Sequence, residues 1–188
     1  IVQYMCQESL VQHLTYHLTA ELGTPLPGVD SQPAIHEAMN TLIRGGSRGD
    51  EKNRHNLVIL HAPRIEELLD DLKICDPAIG SGAFPVGMLQ EIFTAKMTLD
   101  LTLNRAEVKK RIIRETIYGV DMEPGAVDIA RLRFWLSLVV DEDVPQPLPN
   151  LDYKIMQGDS LLESFEGVIP LTIAPTDAAN DPTQGIIK

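Results

Sequence analysis

The chain has 188 residues, of which 44% are hydrophobic and 23% charged, and these shares are typical of globular proteins and give no indication of intrinsic disorder. No apolar run approaches the roughly 20 residues that a membrane-spanning helix needs, and the first residues lack the layout of a signal peptide. The formal net charge of -11 repels phosphate backbones, so this chain is not expected to provide the main contacts to nucleic acid.

The N-terminal third of the chain has the pattern of a helical segment. Apolar residues spaced three and four apart predict helices at 1–22, 33–43 and 62–71. Glycine and proline residues predict a helix end at 23–27 and a flexible loop at 45–50. We therefore expect residues 1–71 to form a helical segment that packs on the core of the domain.

The middle of the chain alternates between short strands and helices. Strands are predicted at 72–75, 117–121 and 153–157. Helices are predicted at 84–99, 104–116 and 124–139. The last of these helices is apolar enough to be buried against a sheet, and the prolines at 144–149 end it. The order of elements predicts an α/β fold with a doubly wound, mostly parallel sheet over 72–165, followed by an irregular tail at 166–188.

An aspartate follows each of the three predicted strands, and these residues are Asp76, Asp121 and Asp159. In open α/β sheets, ligands bind outside the carboxyl ends of the strands, so binding residues are expected at these positions. One such aspartate would be a routine turn or helix-capping residue. Three of them together indicate a ligand that carries hydroxyl groups and an amine.

A turn with the sequence DPAIGSGAF, at 76–84, follows the first strand. Gly80 and Gly82 allow a tight turn into the next helix and a close approach of the main chain to a ligand. Pro85 stands where a dinucleotide-binding fingerprint needs a third glycine, and no Gly-Lys-Ser/Thr follows as in a Walker loop. Both phosphate-binding interpretations are therefore weakened.

The turn at 76–84 resembles the first cofactor motif of amino-group DNA methyltransferases, whose usual form is Asp-Pro-x-x-Gly-x-Gly. Residues 117–130, IYGVDMEPGAVDIA, resemble the second motif of that family, and residues 157–162, QGDSLL, resemble the third. The combination is most similar to the large adenine-specific enzymes of bacterial restriction and modification systems, including type IIG and type IIS enzymes. The resemblance implies a Rossmann-like methyltransferase fold preceded by an N-terminal helical segment.

The resemblance also implies S-adenosylmethionine as the cofactor. Asp121 is expected to accept hydrogen bonds from both ribose hydroxyls, and Met122 is expected to pack on the adenine. Asp159 would accept the adenine amine beside the Ser160 backbone, while the first turn borders the methionine end, where the charge of Asp76 suits the ammonium group. The expected cofactor-binding residues are Asp76, Pro77, Ala78, Gly80, Ser81, Gly82, Asp121, Met122, Asp159 and Ser160.

The sequence lacks the groups that this family uses for methyl transfer. The reaction is associated with Asn-Pro-Pro followed by an aromatic residue, and the chain contains no Pro-Pro. We therefore assign no catalytic residue and expect the chain to be inactive alone. It is expected to be a fragment, with a Tyr-Thr-Pro turn just before Ile1 and the catalytic loop beyond Lys188. DNA would be contacted through regions outside this chain, with a target-recognition domain and an endonuclease as fused or associated partners.

Other residue groups are better explained by structure than by chemistry. His13 and His17 lie four apart, as metal-binding pairs can, but no third ligand is evident and no metal is expected. The basic residues within 105–114 are expected to form a solvated helix face rather than a phosphate contact. Phe134 and Trp135 are expected to pack in the core.

The two cysteines, Cys6 and Cys75, are far apart in sequence and form no metal-binding pattern. They suit a reducing cytoplasm, where we expect the protein, and no membrane contact is expected. Two functions remain open. The chain is either part of an enzyme that methylates the exocyclic amine of adenine in DNA, in restriction-modification or a related phage defence, or a non-catalytic cofactor-binding or assembly module. An Asn-Pro-Pro-aromatic sequence downstream would favour the first.

Overall fold

The computed structural model describes residues 1–22, 32–45, 56–140, 151 and 153–162. The helices are α1 (Val2–Leu22), α2 (Gln32–Gly45), α3 (Asn56–Leu60), α4 (Ala62–Asp70), α5 (Ala83–Leu99), α6 (Arg105–Glu115) and α7 (Pro124–Val139). The strands are β1 (Ile74–Asp76), β2 (Ile117–Asp121) and β3 (Ile155–Gln157). No helix in these ranges combines the length and the apolar character that crossing a membrane requires.

The structure confirms each helix and strand predicted from the sequence and adds α3, which the sequence analysis missed. β1 and β3 each begin two residues later than predicted. Gly45 is the last residue of α2 rather than part of a loop. The predicted helix end at 23–27, the rest of the loop to residue 50, the break at 144–149 and the tail at 166–188 lie outside the described residues.

The three strands form one parallel sheet in the order β1-β2-β3. In the register, Ile74 pairs with Ile117 and Gly119 pairs with Ile155. The sequence therefore indicated the parallel arrangement correctly. In the described part of the sheet, each later strand is added on the same side of the strand before it. A doubly wound sheet requires the strand order to reverse direction, so the doubly wound arrangement stays a prediction.

Within the described residues, one hydrophobic core joins the N-terminal helices to the α/β part of the chain. α1 packs against α2 and α5, and buries Cys6, Leu10 and Leu14 completely or almost completely. α5 is the central helix of this core, because it contacts α1, α2, α4, α6, α7 and β1. The helical residues therefore pack on the element that follows the first strand, and so support the turn at the carboxyl end of that strand.

Of two expectations about helix faces, one is confirmed and one needs correction. α7 is buried against the sheet as expected, because it packs on β2 and β3 and buries Phe134 completely, while its outer side leaves Leu132 about half exposed. The basic helix α6, in contrast, is not a purely solvated face. Lys109 is 6% exposed, and its Nζ donates to the carbonyl of Ser137 at 3.0 Å and lies over the Phe93 ring.

Candidate functional site

The carboxyl ends of the three strands meet at one edge of the sheet, because all three strands run parallel. The turn after β1, the turn after β2 and the turn after β3 are therefore neighbours. All ten residues that the sequence analysis predicted to bind a cofactor lie on these turns or on the last residue of a strand. The prediction that Asp76, Asp121 and Asp159 stand at one edge of the sheet therefore agrees with the topology.

The turn after β1 is shaped by an aspartate and two glycines. The Ala78 N–H donates to Asp76 Oδ1 at 3.1 Å, which closes a side-chain turn directly after the strand. Gly80 and Gly82 have φ angles of 52° and 77°, a region that side-chain-bearing residues rarely adopt. Gly82 is the residue before α5, so the backbone reverses within a few residues and enters the helix.

Ile79 fixes this turn to the neighbouring strand, a contact that the sequence analysis did not identify. Its side chain is 4% exposed, and its N–H donates to the Val120 carbonyl at 3.0 Å. A Cβ at Gly119 would lie 2.3 Å from Ile79 Cδ1 and 3.1 Å from Ile79 Cβ, so a larger residue at this position would force the Ile79 side chain to move. A glycine inside a predicted strand often indicates such a close approach, so Gly119 was the feature of the sequence that could have indicated a close contact at this strand.

Asp121 is the most constrained acidic residue at this edge. Its Oδ2 accepts a hydrogen bond from the Gly80 N–H at 2.8 Å, and its Oδ1 accepts one from the Glu123 N–H at 3.0 Å. These hydrogen bonds, that of Glu123 first and that of Gly80 second, lower the pKa of the carboxyl below its ordinary value. The side chain is therefore negatively charged at neutral pH, and each oxygen keeps a further lone pair for a ligand hydroxyl.

The turn after β3 is tied to both other turns. Ser160 Oγ donates to the Pro77 carbonyl at 2.8 Å, and Gln157 Nε2 donates to the Met122 carbonyl at 3.2 Å. Asp159 Oδ1 accepts from the Leu161 N–H at 2.9 Å. Met122 is 67% exposed, so its side chain does not contribute to the core and is available to a ligand.

The charge at this edge is acidic within the described part of the chain. Asp76, Asp121, Glu123 and Asp159 lie on or beside the three turns, and none of them forms an ion pair with a described residue. Such an edge attracts a ligand with a positive charge and repels one with phosphate groups. The arrangement agrees with the sequence-based argument against a dinucleotide or a nucleoside triphosphate.

A cavity of about 430 Å³ lies elsewhere, between α4, α5 and α6. It contains none of the predicted site residues. Its charged residues are Glu66, Asp70, Glu107, Glu115, Lys96, Lys110, Arg111 and Arg114. The acidic and basic groups are equal in number, and several of them form ion pairs, as Lys96 does with Asp70 at 2.8 Å, so the cavity offers no net charge to a ligand.

The described part of the chain contains no cluster of three His, Cys, Asp or Glu residues able to hold a metal ion. The rings of His13 and His17 lie 4.4 Å apart, and burial lowers the pKa of His13. Burial also raises the pKa of the Cys6 thiol to about 11, which keeps it protonated and unreactive.

Part of this chain is similar to a known protein. A protein of Methanocaldococcus jannaschii is 37% identical to this chain over 123 residues. That protein is provisionally described as a type II restriction enzyme and methyltransferase. The match covers 60% of this chain and 10% of the relative, so the chain spans a small part of that protein. No family model matches the chain, and no solved structure matches it significantly.

Proposed function

We propose that this chain is the S-adenosylmethionine-binding part of a DNA methyltransferase in a restriction-modification or related phage-defence system, and that the enzyme methylates the exocyclic amine of adenine. The observation that carries the proposal is the hydrogen-bonded edge at which the turns after β1, β2 and β3 meet, with Asp121 held at its centre. The identity of 37% to a protein described as a restriction enzyme and methyltransferase supports a methyltransferase of such a system.

The residues at the edge fit the chemical groups of this cofactor. S-adenosylmethionine supplies a methyl group on a positively charged sulfonium, and it also carries an ammonium group and two ribose hydroxyls. Asp121 has two acceptor oxygens with lone pairs to spare, which suits the paired hydroxyls. The carboxylates, which form no ion pair with a described residue, suit this ligand because its sulfonium and ammonium groups together outweigh its one carboxylate, and opposite charges attract.

The two ends of the cofactor are assigned to different turns. Met122, whose side chain is exposed, would pack on the adenine, and Asp159 would accept its amine beside the Ser160 backbone. The turn from Asp76 to Gly82 would border the methionine end, where the two glycines let the backbone approach. Asp76 has the charge that the ammonium group needs.

The target base and the DNA are assigned to regions outside this chain. An exocyclic amine is a weak nucleophile, and it has to be held in line with the methyl group after the base has left the stack. The sequence contains no Asn-Pro-Pro-aromatic motif to do this, and its net charge of -11 disfavours DNA. A target-recognition domain and an endonuclease are the proposed partners, and the description of the relative as a restriction enzyme and methyltransferase supports the endonuclease.

A methyl-transfer assay tests this assignment. The 188-residue chain and the full-length protein are each incubated with radiolabelled S-adenosylmethionine and unmethylated bacterial DNA. We expect the full-length protein to label adenine at its amino group and the 188-residue chain to transfer no methyl group, because the positioning groups are absent from it. Labelling by the chain alone would show that it contains its own catalytic loop. No labelling by either protein would favour a non-catalytic cofactor-binding or assembly module.

A further inference from the structure

Gln157 is an exposed residue at the end of β3 whose side chain makes a specific contact with a neighbouring turn. Its Nε2 donates to the carbonyl oxygen of Met122 at 3.2 Å. In the sheet register, Gln157 pairs with Asp121 on the adjacent strand. Since the side chain is exposed, burial of apolar surface does not explain this contact.

The carbonyl group that Gln157 contacts belongs to the peptide unit between Met122 and Glu123. The N–H of the same unit donates to Asp121 Oδ1 at 3.0 Å. A peptide unit is planar and moves as one body, so fixing the direction of its carbonyl also fixes the direction of its N–H. Gln157 and Asp121 therefore hold opposite ends of one rigid group.

This peptide supplies one of the two main hydrogen bonds that set the orientation of the Asp121 carboxylate. The other comes from the Gly80 N–H, which donates to Oδ2 at 2.8 Å. If the Met122–Glu123 peptide could rotate, Oδ1 would lose this donor, and the carboxylate would depend mainly on the bond to Gly80. A carboxylate with one fixed oxygen can turn, and it then presents its lone pairs to two adjacent hydroxyls less often.

We propose that Gln157 is a positioning residue for Asp121, and that it acts through the Met122–Glu123 peptide to orient the carboxylate toward the ribose hydroxyls of the cofactor. This inference rests on the proposed function, because it concerns the same cofactor site. It predicts that the contribution of Gln157 to binding depends on the ribose hydroxyls and not on the adenine or the amino-acid end.

The test measures binding by calorimetry on the full-length protein with two probes, S-adenosylhomocysteine and its 2′,3′-dideoxyribose analogue. Gln157→Leu removes the donor at similar volume, and we expect it to raise the Kd of the intact probe about three- to tenfold, as for one lost hydrogen bond. The Kd of the dideoxy analogue should change less than about twofold, because that probe has no hydroxyls to give to Asp121. Gln157→Glu also lacks the donor and should weaken the intact probe at least as much.

Gln90→Leu is the matched control, because the amide of Gln90 donates to Thr94 Oγ1 at 3.3 Å on the surface of α5. It should leave both Kd values unchanged. Equal losses for the two probes in the Gln157 variants, or no loss for either, would overturn the inference. If Gln157→Leu does not fold, as judged by its Tm, the two probes are compared on Gln157→Glu. Failure of the unmutated protein to bind S-adenosylhomocysteine would contradict the proposed function itself, and the inference with it.

Discussion

Helices α5 and α7 both follow a strand of the sheet and both carry apolar residues on nearly every side, yet they are buried to different extents. α5 is surrounded by helices and by β1, and buries residues around most of its circumference, including the charged Lys96 at 4% exposure. α7 buries one side and leaves Ile129, Leu132 and Leu136 about half exposed. The comparison shows that an apolar sequence makes burial possible, while the number of neighbouring elements decides how much of it occurs.

The largest loss of stability is expected for a substitution in the core around α5. Ile92 is completely buried, and Ile92→Ala should lower the free energy of unfolding by about 2 to 5 kcal/mol, because it removes buried apolar surface and leaves a cavity. Urea unfolding followed by circular dichroism measures this change. A loss below about 1 kcal/mol would mean that α5 is not the packed centre of the fold.

A smaller effect is expected where the two helices meet at the first turn of α5. Gly82 has a φ angle of 77°, and an added Cβ would lie 3.1 Å from Ala130 Cβ and 3.2 Å from its Cα on α7. Gly82→Ala should therefore cost at least about 1 to 2 kcal/mol, through backbone strain and a contact that the backbone of α7 cannot easily relieve. Thermal unfolding of the variant is the measurement.

Gly125 is the matched control for this substitution, because it lies in the first turn of α7 and an added Cβ would meet only Glu123 Oε1, at 3.7 Å. Gly125→Ala should cause no loss of stability, since alanine favours the helix over glycine. Equal destabilisation by the two substitutions would contradict the close packing of Gly82 against α7.

The smallest effect is expected on the outer side of α7. Ile129 is 49% exposed, so Ile129→Ala should change the free energy of unfolding by less than about 1 kcal/mol, in contrast to the same substitution at Ile92. The two variants are compared in one urea series. A loss at Ile129 as large as that at Ile92 would show that the outer side of α7 is covered in solution.

The sequence was sufficient for the elements that local patterns define. Helical spacing located α7, and the strand-end aspartates indicated that Asp76, Asp121 and Asp159 lie at one edge of the sheet, because both signals lie within a few neighbouring positions. The first residue of each strand was harder to predict, since it depends on backbone hydrogen bonds to other residues. β1 begins at Ile74, whose N–H donates to the Thr116 carbonyl at 2.8 Å, and β3 begins after a local turn in which the Lys154 N–H bonds to Leu151 at 2.9 Å.

Contacts between distant residues could not be predicted from local patterns. Ile79 packs over Gly119, which is distant in sequence, and the sequence alone gives no reason to pair them. The same holds for the hydrogen bond from Gln157 to the carbonyl of Met122. It also holds for the partial exposure of α7, because the composition of a helix does not determine how many elements surround it. These features depend on tertiary packing. The contacts of Ile79 and Gln157 also link turns of the candidate site to neighbouring strands.

Cofactor binding by two aspartate variants tests the central claim most directly. Asp121 is held at the strand edge by two backbone N–H groups, whereas Asp128 lies exposed within α7. In calorimetry with S-adenosylmethionine, Asp121→Ala should weaken binding by roughly tenfold to a hundredfold, as expected for the loss of charged hydrogen bonds, and Asp128→Ala should leave the Kd unchanged. Equal affinity of the two variants would contradict the assignment of Asp121 to the ribose and, with it, the proposed cofactor site.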